Sequence, residues 1–228
     1  MTSTTTKNLI VQTKGLCKTY GPTKAVLDLE FSLFEGEFVG LVGHNGAGKS
    51  TLIKMLASQI LPSNGEVLFS NCSDDITERK KLVGYVPEFP EMFDYLTGAE
   101  MLEYISHIRN VSDWQWALEF IGLGEAEDRY IREYSQGMRR KIAIACAVVA
   151  KPKLIILDES LNGLDPPSTK RVLSVLEDLR RENGSCILLS THILDTLEKV
   201  SSRVVMMKSG KIIREVQPSE IDSLYEFF

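Results

Sequence analysis

The sequence predicts an α/β fold: a mainly parallel sheet with flanking helices, an antiparallel β subdomain and an inserted α-helical subdomain. The first observation is an apolar run at residues 38–42 that leads through a glycine-rich turn into a helical segment. The second is the alternation of strand and helix patterns after residue 150, which is typical of parallel strands joined by helices. The third is that residues 90–150 lack strand-like runs and have helical patterns.

The antiparallel part is assigned to residues 9–42, where short alternating apolar runs are separated by turns that contain glycine. Strands are also predicted at residues 66–69 and 82–86, after the helix that the glycine-rich turn begins. We expect a single domain over residues 1–228, in which the remaining strands and helices form the central core.

Polar side chains predict where the helices of residues 90–150 begin, because they can accept hydrogen bonds from free backbone N–H groups. The predicted caps are Thr97, with Glu100 in a capping box, for a helix to Arg109; Ser112 for residues 113–121; and Ser135 for a long helix. We expect Trp114 and Trp116 to pack in the core of this helical part. The later elements are predicted as strands at 154–157, 186–190, 204–207 and 211–213, and helices at 167–181 and up to Val200.

Composition narrows the class of protein. The chain has 228 residues and a formal net charge of −5, which argues against a general nucleic-acid binder. No stretch approaches the roughly 20 apolar residues that span a bilayer, and the Thr-rich start, residues 1–8, is expected to be a frayed tail and not a signal peptide. The four cysteines are scattered, so we expect a reducing compartment that is the cytosol or faces it.

The glycine-rich turn carries the first chemical signal. Gly43, Gly48, Lys49 and Ser50 match the spacing G-x-x-x-x-G-K-[ST] of a phosphate-binding loop. Glycines let backbone N–H groups converge on an anion, and the positive end of the following helix completes the site. Lys49 can reach the outer phosphates, and the Ser50 hydroxyl suits Mg²⁺. The predicted nucleotide-binding residues here are Gly43, Asn45, Gly46, Ala47, Gly48, Lys49, Ser50 and Thr51.

The second signal is a pair of acids, Asp158 and Glu159, directly after the apolar run 154–157. A buried strand ending here would deliver Asp158 beside the phosphate loop, where it can hold Mg²⁺ or its waters. Glu159 would then be placed to orient or deprotonate an attacking water. The pair has this meaning because it follows a phosphate loop about a hundred residues upstream.

Together with these motifs, several others in the same order make the chain similar to the nucleotide-binding subunits of ATP-binding cassette transporters. Residues 134–138, Tyr-Ser-Gln-Gly-Met, resemble the family signature, and residues 161–166 resemble the loop that carries the inter-subunit aspartate. His192 resembles the switch histidine, and Tyr20 resembles the aromatic residue that stacks on adenine. The resemblance covers residues from about 9 to 215.

The resemblance implies an ATPase with Mg²⁺ in which two cassettes, identical or different, pair head to tail. Ser135, Gly137 and Asp165 are then expected to act on the nucleotide held by the other copy, while His192 senses the γ-phosphate. The catalytic residues implied are Glu159, His192 and Lys49, and the Mg²⁺ ligands implied are Ser50, Glu88 and Asp158. Glu88 stands where most relatives have glutamine, and a carboxylate can still ligate Mg²⁺.

A short acidic and aromatic stretch at residues 89–95 follows Glu88. In one interpretation its aromatic side chains pack between the subdomains. In the other it contributes to the groove that receives a cytoplasmic helix of a membrane partner, since aromatic residues and Met are enriched in interfaces.

The resemblance implies ATP hydrolysis that powers export through a separate membrane-spanning permease, with this chain peripheral at the cytoplasmic face of the plasma (inner) membrane. One alternative is a soluble cassette that acts on ribosomes or DNA, although neither a second cassette nor a long coiled coil is present and no nucleic-acid partner is expected. Another is a binding-only regulatory cassette, which the presence of Lys49, Asp158, Glu159 and His192 disfavours.

Overall fold

The fold is known from a computed structural model that describes residues 8–73 and 75–227, so the expected frayed tail lies outside this part except for Asn8. The strands are β1 Leu9–Tyr20, β2 Thr23–Phe34, β3 Phe38–Val42, β4 Asn64–Phe69, β5 Val83–Val86, β6 Leu154–Asp158, β7 Cys186–Ser190, β8 Arg203–Lys208 and β9 Lys211–Val216. The helices are α1 Lys49–Leu56, α2 Ile76–Leu82, α3 Gly98–Arg109, α4 Gln115–Ile121, α5 Gln136–Val148, α6 Pro166–Asn183 and α7 Leu194–Val200.

A six-stranded sheet in the order β5-β6-β7-β3-β8-β9 forms the centre of the fold. In this sheet β5, β6, β7, β3 and β8 are parallel, and β9 pairs antiparallel with β8 at one edge. One face is covered by α1 and the strands β1, β2 and β4, and the other by α5, α6 and α7, so side chains of alternating direction on one strand enter different cores. Leu154 and Ile156 pack in one apolar cluster, whereas Ile155 and Leu157 pack in the other. This two-sided burial explains the continuous apolar runs of these strands.

A separate antiparallel sheet has the order β2-β1-β4. The assignment of residues 9–42 to the antiparallel part was wrong at its end, because β3 pairs with β7 and β8 in the parallel sheet. Conversely, β4 was assigned with the central core, but it pairs with β1 in the antiparallel sheet. The reason for the first difference is burial: every residue of β3 is buried, as a central strand requires, whereas β1 and β2 alternate between buried and exposed positions.

The helical part, α3 to α5, has its own apolar cluster, which includes Leu102, Ile121 and Ile142. Trp114 and Trp116 pack partly buried against it, as predicted. Ser112 does not cap α4, which begins at Gln115 without a capping side chain. Ser112 instead follows the residues that end α3, where the Val111 N–H donates to the Ser106 carbonyl at 2.9 Å. In the described part of the chain, no helix has the length and apolarity to cross a membrane.

Two of the predicted helix caps are present. Ser135 caps α5 by accepting a hydrogen bond from the Met138 N–H, and Thr97 caps α3 in a capping box with Glu100. In this box the Thr97 Oγ1 accepts from the Glu100 N–H at 3.1 Å, and the Glu100 carboxylate accepts from the Thr97 N–H at 2.8 Å. Both bonds satisfy N–H groups that have no partner inside a helix.

We expect Thr97→Ala to destabilise the protein by about 1 kcal/mol, because it removes the hydroxyl half of the capping box. For a domain of this size the midpoint of thermal unfolding should fall by about 2–4 °C. Thr97→Ser is the matched control, since it keeps the hydroxyl and should unfold near the wild-type temperature. Equal unfolding temperatures for the two variants would contradict the capping role.

Candidate functional site

The phosphate-loop motif lies between β3 and α1, at the carboxyl end of a central strand. Two of its glycines are required by the approach of other backbone segments. A Cβ at Gly43 would lie 2.2 Å from the Met207 carbonyl oxygen, and one at Gly48 would lie 2.3 Å from the Ala25 carbonyl oxygen. Gly48 also has φ 103°, which favours glycine. The loop is therefore a compact turn whose shape depends on both positions.

Lys49 is buried, and its ammonium group donates to the carbonyl oxygens of Gly43 at 2.6 Å and His44 at 3.3 Å. Burial lowers the pKa of Lys49, whereas the nearby carboxylates of Glu159, Asp158 and Glu88 oppose this shift. The lysine is thus held inside the loop and surrounded by acids. Phosphate oxygens in the cavity are suitable acceptors for hydrogen bonds from this ammonium group.

Asp158 is the last residue of β6 and is only 2% exposed. Burial raises the pKa of its carboxyl group, while hydrogen bonding from the Ser50 hydroxyl opposes the shift. Its Oδ1 atom is buried and has no hydrogen-bond partner among the residues described. A buried carboxylate oxygen without a donor is costly, and a hard cation such as Mg²⁺ would compensate for it. The donor set of Asp158 and Ser50 therefore fits a magnesium ion.

Glu159 follows directly and has its carboxylate fixed on both sides. Its Oε1 lies 3.0 Å from the His192 Nε2 and 3.5 Å from the Ser190 Oγ, and its Oε2 accepts from the Asn162 Nδ2 at 2.8 Å. The backbone of Glu159 has φ 51°, a conformation that residues other than glycine rarely adopt. The residue is thus held in an unusual conformation by three polar neighbours, which is typical of functional sites.

Lys49 and Glu159 border one cavity of about 430 Å³, which Asp158 does not line. Its lining brings together the phosphate loop, the acid region and the start of β2: Tyr20, Thr23, Lys24, Ala25, His44, Asn45, Gly46, Ala47, Gly48, Lys49, Ser50, Thr51, Glu88, Glu159, Asn162 and His192. The Tyr20 ring is half exposed at the rim, with the Lys18 ammonium 5.4 Å from its centre. A planar ligand group could stack on the accessible face of this ring.

Sequence reasoning missed part of this lining. Thr23, Lys24 and Ala25 have no motif of their own, although their position just after Tyr20 was a signal that they could reach the same ligand. Asn162 belongs to the quoted stretch 161–166, but its contact with Glu159 was not predicted. His44 also lines the cavity, although no chemical role was assigned to it.

Four of the predicted nucleotide-binding residues do not line this cavity: Gly43, whose carbonyl oxygen accepts from the Lys49 ammonium, and Ser135, Gly137 and Asp165. Ser135 and Asp165 are exposed caps at the N-termini of α5 and α6. Hydrogen bonds from the Ser168 hydroxyl and N–H lower the pKa of Asp165. The two caps are close to each other, since a Cβ at Gly137 would lie 3.4 Å from the Gly163 carbonyl oxygen in the loop before α6.

A glycine loop after a parallel strand, a buried lysine and two facing acids define the class of phosphate-loop nucleotide-binding proteins. Within this class the chain belongs to the ABC transporter family, whose sequence profile matches residues 26–162. This confirms the resemblance stated above: the chain is the ATP-binding and ATP-hydrolysing subunit of an ABC transporter.

Individual relatives agree. The chain is 36% identical over 217 residues to the bacitracin transport ATP-binding protein BcrA of Enterococcus faecalis. The aligned region covers 93% of this chain and 70% of BcrA. It is 33% identical over 222 residues to the daunorubicin/doxorubicin resistance ATP-binding protein DrrA of Streptomyces peucetius, covering 93% of this chain and 67% of DrrA.

Solved structures confirm the predicted fold class. An ATP-binding subunit of an ABC transporter superposes with a TM-score of 0.87 at 28% identity, over 96% of this chain and 94% of that one. The dimeric ATP-binding cassette MJ0796, in a post-hydrolysis state bound to ADP and Pi, gives a TM-score of 0.84 at 25% identity, over 92% and 99% of the two chains.

Gly48→Ala should destabilise the protein without nucleotide far more than Gly46→Ala. Both positions have positive φ, but a Cβ at Gly46 meets nothing within 4 Å, whereas a Cβ at Gly48 meets a backbone carbonyl. We expect a cost of about 1 kcal/mol for Gly46→Ala, from backbone strain alone, and several times that for Gly48→Ala. Urea unfolding of the two variants measures the difference, and similar costs would refute the close approach to Ala25.

Proposed function

We propose that this chain couples ATP hydrolysis to export through a separate membrane-spanning permease. The observation that carries this proposal is that Lys49 and Glu159 border one cavity with Asp158 close to both, and that His192 and Asn162 hold the Glu159 carboxylate. It is supported by relatives that are named for bacitracin transport and for daunorubicin/doxorubicin resistance. A soluble cassette that acts on ribosomes or DNA and a binding-only cassette are not favoured.

In the mechanism we infer, the loop amides and Lys49 neutralise charge on the phosphates of ATP. Glu159 orients the attacking water and accepts its proton, because its carboxylate borders the same cavity as Lys49. His192, 3.0 Å from the Glu159 carboxylate, is placed to sense the γ-phosphate and to orient that carboxylate. Tyr20 at the rim stacks on adenine. Catalysis is mainly electrostatic, as in other phosphoryl transfers.

Magnesium is part of this proposal. Asp158, Ser50 and Glu88 would hold the ion, and the unpartnered Oδ1 of Asp158 supports this assignment. Bound Mg²⁺ would neutralise charge on the outer phosphates of ATP. Glu88 borders the cavity from the loop after β5, so it faces the same ligand as Lys49.

Two cassettes are proposed to pair head to tail, as a homodimer or with another cassette. Ser135, Gly137 and Asp165 lie outside the cavity of their own chain, whereas α5 offers a capped helix N-terminus that suits a phosphate. The similarity to the dimeric cassette MJ0796 supports this arrangement. Each nucleotide would then lie between the phosphate loop of one copy and the Ser135 end of the other.

The permease is proposed to bind at the exposed aromatic stretch of residues 89–95. In this proposal the chain is peripheral at the cytoplasmic face of the plasma (inner) membrane. Phe89, Phe93 and Tyr95 are 70%, 56% and 73% exposed. Phe93 contacts the Tyr104 ring edge-on at 5.7 Å, so only part of its surface is covered within the chain. Three accessible aromatic side chains in seven residues suit the centre of a protein interface.

Glu159→Gln should bind ATP like the wild type but hydrolyse it about 10²–10⁴-fold more slowly, because the amide cannot accept the proton of the attacking water. The ATP-bound dimer should therefore accumulate. Steady-state hydrolysis with the permease and size-exclusion chromatography with Mg-ATP measure the two effects. Turnover close to that of the wild type would overturn the assignment of Glu159.

Replacing the most exposed aromatic residues, Phe89→Ser with Tyr95→Ser, should weaken binding to the permease about 30-fold, since buried aromatic anchors contribute roughly 2 kcal/mol or more. ATP binding and the unfolding temperature of the isolated chain should not change. Leu61→Ser is the matched control, because Leu61 is also exposed (65%) but lies outside this stretch. Earlier melting of the double variant with intact co-purification of the permease would show that these residues pack within the chain instead.

A further inference from the structure

The loop between β6 and α6 fixes the Glu159 carboxylate mainly through Asn162. The Asn162 side chain donates to the Glu159 Oε2 at 2.8 Å, and the Asn162 N–H donates to the Glu159 carbonyl oxygen at 3.2 Å. Asn162 therefore determines both the turn after Glu159 and the direction of its carboxylate. Whatever holds the backbone of Asn162 also influences the orientation of Glu159.

That backbone is held by Arg140 on α5, whose Nη1 donates to the Asn162 carbonyl oxygen. The neighbouring Gly163 makes this contact possible, because a Cβ at residue 163 would lie 2.6 Å from the Arg140 Nη1. The guanidinium group occupies the space that a side chain at residue 163 would need. Arg140 and Gly163 thus form a matched pair.

The same end of α5 has two further contacts with this loop. A Cβ at Gly137 would come within 3.4 Å of the Gly163 carbonyl oxygen, and the Lys141 ammonium lies 3.9 Å from the Asp165 carboxylate. Arg140 is five residues after Ser135, the cap of α5. These contacts connect the capped end of α5 to the backbone that orients Glu159.

We propose that Arg140 is a positioning residue for ATP hydrolysis: its bond to the Asn162 carbonyl links the Ser135 end of α5 to the Glu159 carboxylate of the same chain. The inference rests on the proposed function, in which Glu159 handles the water and the Ser135 end contacts the nucleotide of the other copy. Arg140 then reports to one catalytic site that the opposite site holds nucleotide. It does not line the cavity of its own chain.

Arg140→Ala should lower kcat roughly tenfold, the effect expected for the loss of one charge-assisted hydrogen bond, with little change in KM for ATP. Arg140→Lys should recover most of the rate, because the contact is a single bond to one carbonyl oxygen and needs no bidentate group. The rates are measured for the full chain assembled with its permease, over a range of Mg-ATP concentrations. An unchanged kcat in Arg140→Ala, or a loss that appears only in KM, would overturn the proposal.

Coupling to Asn162 is tested by combining variants. If Arg140 acts through Asn162, Arg140→Ala should add little to the loss of kcat caused by Asn162→Ala. Multiplied losses in the double variant would mean that Arg140 acts by another route, and the proposed link would be wrong. If Arg140→Ala does not fold, the same comparison with Arg140→Lys and Arg140→Gln decides between these outcomes.

Arg171→Ala is the matched control. Arg171 also donates to a backbone carbonyl, that of Phe120 at 3.5 Å, and lies against a glycine, Gly122, but it contacts the helical part at α4 and not the loop after Glu159. It should leave kcat unchanged, and an equal fall in both variants would assign the effect to general attachment of the helical part. Failure of the proposed function would be distinguishable, because Glu159→Gln would then hydrolyse ATP normally. Slow hydrolysis by Glu159→Gln together with normal hydrolysis by Arg140→Ala would refute the Arg140 link alone.

Discussion

The register of three parallel strands determines where the chemistry of this chain lies. Ser190, the last residue of β7, is the register partner of Leu41 in β3 on one side and of Asp158 in β6 on the other. The phosphate loop and the acid pair therefore both lie at the carboxyl ends of the parallel strands, with β7 between β3 and β6. A slip of β6 by one residue would direct Asp158 to the opposite face and leave the loop without its acid.

The energetically unfavourable features of this arrangement lie at the same ends of the strands. Asp158 is a buried carboxylate with one oxygen that no described residue hydrogen-bonds, and Glu159 has positive φ. Next to them, the Ser160 hydroxyl donates to the Val86 carbonyl oxygen at 3.0 Å, which ties the loop to β5. Apart from their last residues, Asp158 and Ser190, the strands β6 and β7 are apolar and fully buried, and their packing offsets these unfavourable features. In our proposal, ligand binding relieves the unpartnered oxygen.

Local chemistry explains why so much of the site could be predicted from the sequence. The glycines of the phosphate loop, the acids after an apolar run and the capping box of α3 each depend on a few neighbouring residues. What could not be predicted depends on contacts between distant segments. The pairing of β4 with β1 has no local pattern in the sequence. The same is true of the approach of Ala25, in β2, to Gly48 of the phosphate loop. Gly210 shows why: it accepts from the Leu27 N–H and donates to the Ala47 carbonyl, joining three separate segments.

Ile144 and Val148 of α5 are buried in an apolar cluster of the central sheet, so the helical part is attached by close packing as well as by hydrogen bonds. Its connections to the rest of the chain include arginine side chains that donate to backbone carbonyls: Arg109 to Val83, Arg171 to Phe120 and Arg140 to Asn162. Some apolar residues are shared with the central core, among them Met92, Trp116 and Phe120. Hydrogen bonds of this kind exchange with water at modest net cost, unlike a close-packed apolar core. The apolar face of α5 and the polar contact of Arg140 thus belong to the same helix, and in our proposal the polar contact passes a change at the Ser135 end to Glu159.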